Sequence, residues 1–134
     1  MATKTTKAKS DGSTQNATFQ WISADSAEPY ITIDNQQRLY LSSGARKTIG
    51  VDPQSRIIVG YDKANKRVVI AKPEVVRVPN IRPFLLDKKA YCSARAIVQA
   101  IDFDYEDLPL RFAYVGRDFS EYDVGSFAFE RVVD

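Results

Sequence analysis

Apolar and polar residues alternate in four short runs between Ile31 and Ala71, each run bounded by polar turns. Ile31 and Ile33 flank Thr32, as a strand with one buried face requires. Asp34 to Gln37 reads as a turn, and Arg38 to Leu41 resumes a strand. Ser42 or Ser43 can N-cap a short helix from about Gly44 to Ile49, because a serine hydroxyl accepts an orphan backbone N–H. Gly50 stands where a helix end needs a left-handed residue. Arg56 to Tyr61 and Arg67 to Ala71 then form a hairpin around the polar turn Asp62 to Lys66. A segment this short cannot bury a core alone, so the pattern predicts pairing with a second copy.

The flanks read differently. Met1 to Asn16 is polar and without apolar periodicity, which predicts a disordered tail over residues 1–16. Phe19, Trp21 and Ile22 alternate loosely, as a short strand or packing anchor would. Pro73, Pro79 and Pro83 mark residues 73–85 as an extended linker. Asp87 is placed to cap a second helix through about Ile101, with Ala90, Tyr91, Ala94, Ile97, Val98 and Ile101 at helical spacing. Leu110 to Val115 and Phe127 to Val133 read as two strands whose aromatic rings would cover that helix. The expected architecture is therefore mixed β/α. Residues 17–72 would form a dimerising β-barrel domain, and residues 86–134 a small α+β helix–hairpin module.

Composition removes several functions. With no His and one Cys (Cys92), the usual zinc sites, histidine acid–base chemistry and an intrachain disulfide are excluded. No glycine-rich phosphate loop occurs, and Ser42 to Lys47 lacks the spacing of one. The acidic cluster Asp102, Asp104, Glu106 and Asp107 lacks the glycine and distal glutamate of a calcium loop. The expectation is a protein that is not an enzyme and uses no cofactor or metal. No apolar run is long enough to span a bilayer and the N-terminus has no secretory hydrophobic region, which predicts the cytoplasm.

Charge adds a direction. Residues 31–100 hold thirteen Lys and Arg against five Asp and Glu, a net of +8, whereas residues 101–134 hold three against nine, a net of −6. A basic part facing a polyanion and an acidic part with another task follow from that split. The candidate DNA-contacting residues are Arg38, Arg46, Lys47, Arg56, Lys63, Lys66 and Arg67. The acidic end, residues 86–134, is the candidate surface for a protein partner.

The run Asp34, Asn35-Gln36-Gln37, Arg38, Leu39-Tyr40-Leu41, Ser42, then Arg46-Lys47-Thr48-Ile49-Gly50-Val51 resembles the AbrB-type (SpoVT/AbrB) swapped-hairpin DNA-binding domain, without a gap. The strand, turn and strand through Ala71 continue the likeness. The resemblance implies a homodimer in which two chains exchange hairpins to build one barrel. It further implies that Arg38, Arg46 and Lys47 occupy the family's basic positions on double-stranded DNA, and that the protein regulates transcription by occupying a promoter. The chain departs from the family at Gln37, where a turn glycine stands, at Ser42, where a proline stands, and at Ala45, where a larger apolar residue is usual. The first strand, Ile31-Thr32-Ile33, also lacks the family's basic residues. Antitoxins of this fold silence a protein partner through a C-terminal segment. The resemblance thus leaves a second expectation, a phage-encoded or antitoxin-like inhibitor of a nucleic-acid enzyme.

Overall fold

The computed structural model describes residues 18–22, 28–101 and 105–133. The first half follows the expected order: β1 (Tyr30–Ile33), β2 (Arg38–Leu41), α1 (Ser43–Ile49), β3 (Arg56–Asp62) and β4 (Arg67–Ala71). Alternation does the placing, since Ile31, Ile33, Leu39, Leu41, Val68 and Ile70 are all buried while Thr32, Tyr40 and Val69 between them are partly exposed. Ser42 Oγ accepts the Ala45 N–H at 3.1 Å and the Tyr30 N–H at 3.0 Å, so one hydroxyl caps α1 and ties it to β1. Gly50 closes the helix at φ 85°, its N–H donating to the Arg46 carbonyl. Gln37 takes the turn glycine's place in the left-handed region, at φ 57°.

The second half repeats this order: β5 (Phe84–Leu85), β6 (Tyr91–Ser93), α2 (Arg95–Ala100), a 3-10 turn (Tyr105–Asp107), β7 (Leu110–Arg117) and β8 (Phe127–Arg131). Its first turn copies that of the first half. Asp34 Oδ1 accepts the N–H groups of Gln36 and Arg38 at 3.0 and 2.9 Å, and Asp87 Oδ1 accepts those of Lys89 and Tyr91 at 2.8 and 3.0 Å. Gln37 (φ 57°) and Ala90 (φ 66°) are the matching left-handed residues. The two turns also clasp each other, with Leu41 N–H on the Ala90 carbonyl (3.2 Å) and Ala94 N–H on that of Gln37 (2.8 Å).

Several sequence expectations change here. Asp87 does not cap a long helix. Its carboxylate organises a hairpin turn instead, and a left-handed Ala90 cannot continue a helix. Tyr91, Cys92 and Ser93 alternate as a strand, and only Arg95 to Ala100 is helical. The expected linker holds β5 and the buried Val76. Phe19, Trp21 and Ile22 are exposed at 52, 82 and 73% and form no strand. The expected tail, residues 1–16, lies outside the described residues.

The eight strands form one antiparallel sheet ordered β5-β3-β4-β8-β7-β1-β2-β6, and the β5–β6 turn joins its two ends into an almost closed barrel. Exchanging each strand for its counterpart in the other half reproduces the same pairings, except that β5 and β6 meet only at their turn where β1 and β2 form a ladder. The hairpins are traded: β1 pairs with β7 and β5 with β3, while β2 pairs with β6 and β4 with β8. A second chain was the expected partner for the first half; residues 84–131 of the same chain fill that place. Nor do residues 86–134 form a separate module, because one core joins Ile31, Leu39, Ile57 and Ile70 to Ile97, Leu110, Phe112 and Phe129.

The β7–β8 connection folds back over the outer face and packs on the 73–83 stretch. Gly125 sits at φ 96°, and a Cβ there would meet Val75 Cγ1 at 2.6 Å. Gly125→Ala is therefore expected to cost about 1–3 kcal/mol in a denaturant melt, through left-handed strain plus the clash with a stiff β-branched side chain. Because the core is completed by a single chain, the thermal midpoint should not vary with protein concentration. A midpoint that rises with concentration would indicate an obligate second copy.

Candidate nucleic-acid interface

The outward positions of β7, β1, β2 and β6 carry a row of rings and guanidinium groups. Tyr40 on β2 lies directly opposite Tyr91 on β6, ring centroids 4.8 Å apart, and Tyr30 on β1 lies 6.3 Å from Tyr40. The Arg111 guanidinium of β7 sits 3.9 Å from the Tyr30 ring centre, and that of Arg38 sits 4.6 Å from the Tyr91 ring centre. Three partly exposed tyrosines thus run between two exposed arginines, with Thr32 and Ser93 on the same face. Cation–π contact fixes the guanidinium planes without neutralising their charge.

Arg38 is also bridged to Asp34, with Nη2 and Nε 2.8 and 2.9 Å from Oδ2. Burial works against the Asp34 carboxylate, yet the bonds from Arg38 and Gln36 outweigh it and hold its pKa below the usual range. The pair is exposed, so it orients Arg38 more than it stabilises the fold. Arg46, half-buried, donates from Nε to the Leu41 carbonyl at 3.3 Å, which holds its guanidinium against the end of β2. Lys47 is exposed on the same helix, whose last turn carries both basic residues. α2 has no basic residue in its last turn, so the two halves share a plan but not a surface charge.

The remaining sequence candidates lie elsewhere. Arg56 opens β3 opposite Leu85 of β5, and Lys63 and Lys66 are exposed on the β3–β4 turn. Arg67 occupies the same cross-strand row as Tyr30, three strands away through Glu130 and Ala113. It is bonded to Glu130 (Nε–Oε1 2.9 Å) and lies 4.9 Å from the Phe119 ring centre. Arg46 and Lys47 therefore share α1 and Arg38 lies against the Tyr91 ring, while Arg56, Lys63, Lys66 and Arg67 belong to the β3–β4 hairpin. Tyr30, Tyr40, Tyr91 and Arg111 were missed by the sequence reading, although Tyr30 and Tyr40 fall on the outward beat of an alternating strand.

On the opposite side, the β7–β8 connection lays Tyr122 against Asp62, its hydroxyl donating to Asp62 Oδ2, which Asn65 Nδ2 also bonds at 2.8 Å. A cleft of about 570 Å³ opens there, walled by Ile58, Val69, Val76, Val78 and Ile81 and edged by Glu121 and Asp123. Among the described residues no group of three potential metal ligands comes together, and no helix is long and apolar enough to cross a membrane. Cys92 is buried, and burial pushes its thiol up to about 12, which suits a packing residue rather than a nucleophile.

The Tyr122 and Asn65 bonds hold the Asp62 carboxyl down to about 2. A depressed carboxylate stabilises the native state fully above the ordinary carboxylate range and loses that contribution as pH falls through the native value. Tyr122→Phe should therefore move the Asp62 pKa back toward 3.8, read by carboxyl NMR titration, and shrink the acid-side stability change, with the Asn65 bonds holding the remainder.

No family model matches the chain, and neither a curated protein nor a solved structure does.

Proposed function

We propose that this is a non-catalytic nucleic-acid-binding protein whose barrel is a one-chain form of the AbrB-type swapped-hairpin domain. The observation that supports it most is the reciprocal trade of hairpins around the run Asp34–Val51, the run that resembles that family. In this reading residues 84–131 stand where the twin chain of a dimer would, and one polypeptide suffices for a binding face. Arg38, Arg46 and Lys47 neutralise phosphates of double-stranded DNA and set the protein's register on it. Regulation follows by occupancy, since a protein seated on a promoter excludes other proteins from it. Nothing in this action requires chemistry on the DNA.

A second reading, a protein-interaction module, is favoured by the apolar cleft beside Tyr122 and its acidic edge. A basic, partly apolar segment of an enzyme would suit that cleft, as an antitoxin-like or phage-encoded inhibitor requires. Deleting residues 86–134 cannot test it, because those residues are half of the barrel.

Fluorescence anisotropy with labelled duplex DNA separates the two. Binding should weaken linearly in log–log salt titration, by a slope near −0.9 per phosphate contacted. The double variant Arg46→Ala with Lys47→Ala should lose about tenfold or more in affinity and flatten the slope by about 2. Absence of duplex binding at low salt discards the reading of a promoter-occupying protein on double-stranded DNA.

A further inference from the structure

We propose that the outward face of β7-β1-β2-β6 is a stacking platform for single-stranded nucleic acid, with Tyr30, Tyr40 and Tyr91 taking base faces and Arg38 and Arg111 holding the phosphates between them. This deepens the nucleic-acid reading above and rests on it for the role of Arg38.

The geometry carries the inference in three ways. The rings form a continuous series, 6.3 and 4.8 Å between neighbouring centroids, over strands about 4.8 Å apart. Each end of the series is closed by an arginine already lying against a ring, at 3.9 and 4.6 Å. Bases stack on such aromatic faces whatever their identity, while cations beside them track the backbone.

The fold itself does not demand these residues. Superposing the Asp34 and Asp87 turns sets Tyr30, Arg38 and Tyr40 against Pro83, Tyr91 and Ser93. The same barrel is built on that side with a proline and a serine where the platform has tyrosines. Cross-strand packing accounts for Tyr40 opposite Tyr91. Asp34 accounts for the placing of Arg38, but neither accounts for a third ring capped by Arg111 on a face exposed to solvent.

The form of the nucleic acid follows from what the face lacks. Among the described residues the outward positions of these four strands belong to the sheet itself, not to a helix, and a helix or ribbon in the major groove is what reads a duplex. A duplex hides its base faces in the stack, whereas a single strand presents them. Thr32 and Ser93 supply hydroxyls on the same face, suited to sugar or phosphate oxygens.

Short labelled oligothymidine and oligouridine test the platform, with tyrosine fluorescence of the wild-type protein as a second readout. Binding should quench that fluorescence, and Tyr40→Ala and Tyr91→Ala should each weaken single-strand binding about tenfold or more. Tyr40→Phe and Tyr91→Phe should keep most of it, since the ring is retained, and Arg111→Ala should flatten the salt dependence. Preference for one oligomer identifies DNA or RNA as the natural strand. If folded alanine variants bind within about twofold of wild type, or wild-type fluorescence is not quenched on binding, the platform is overturned. Duplex binding that depends on Arg46 and Lys47 would then leave the proposed function standing. Failure of both strand forms would end both ideas, and single-strand binding without duplex binding would retain only the platform. Should an alanine variant fail to fold, the phenylalanine variants and wild-type quenching decide the matter.

Discussion

Every hairpin in this chain has edges whose backbone N–H and C=O groups need partners, and no half of the molecule can satisfy its own. Unpaired edge groups buried against a core cost free energy and invite foreign strands. Here β1 finds β7, β5 finds β3, and the two remaining contacts, β2 with β6 and β4 with β8, weld the halves together. The core, the clasped turns and the outward tyrosines all depend on that reciprocal pairing. Phe112 and Phe129 are buried because strands of the other half lie across them, not because their own hairpin encloses them.

The repeated plan carries unlike surfaces. α1 ends in Arg46 and Lys47, whereas α2 ends without a charge. The β3–β4 turn is short, but its counterpart between β7 and β8 is long enough to fold back over the sheet and bond Tyr122 to Asp62. One side of the barrel thus collects cations and rings, and another forms an apolar cleft with acidic edges. Backbone hydrogen bonds and the inward beat of each strand are common to both halves, while the outward beat differs.

Most of the first half was legible from its residues alone. Strict alternation, a serine before a helical run and Gly50 after it each have one dominant physical meaning, and they agreed with one another. The second half was misread because its signals are ambiguous. An aspartate before an apolar run suits both a helix cap and a turn in which its carboxylate collects two N–H groups. The left-handed Ala90 gives no warning in sequence, since alanine is among the strongest helix formers. The repeat itself was hidden because the halves share an aspartate, a turn geometry and a pattern of burial, but few identical residues. The tyrosine row was invisible for a different reason. Strand alternation shows which residues face outward, but only register shows which outward residues of different strands stand side by side. Charge counting was less informative, for it grouped the β3–β4 hairpin residues Arg56, Lys63, Lys66 and Arg67 with residues carried by β2 and α1.

Holding both barrel halves in one polypeptide has an evolutionary consequence. In an assembly of identical copies every substitution enters twice, so a residue that improves one wall also burdens the mirror wall. A continuous polypeptide escapes that rule. Positions 83 and 93 can change without positions 30 and 40, and here they hold Pro83 and Ser93 where the first half has Tyr30 and Tyr40.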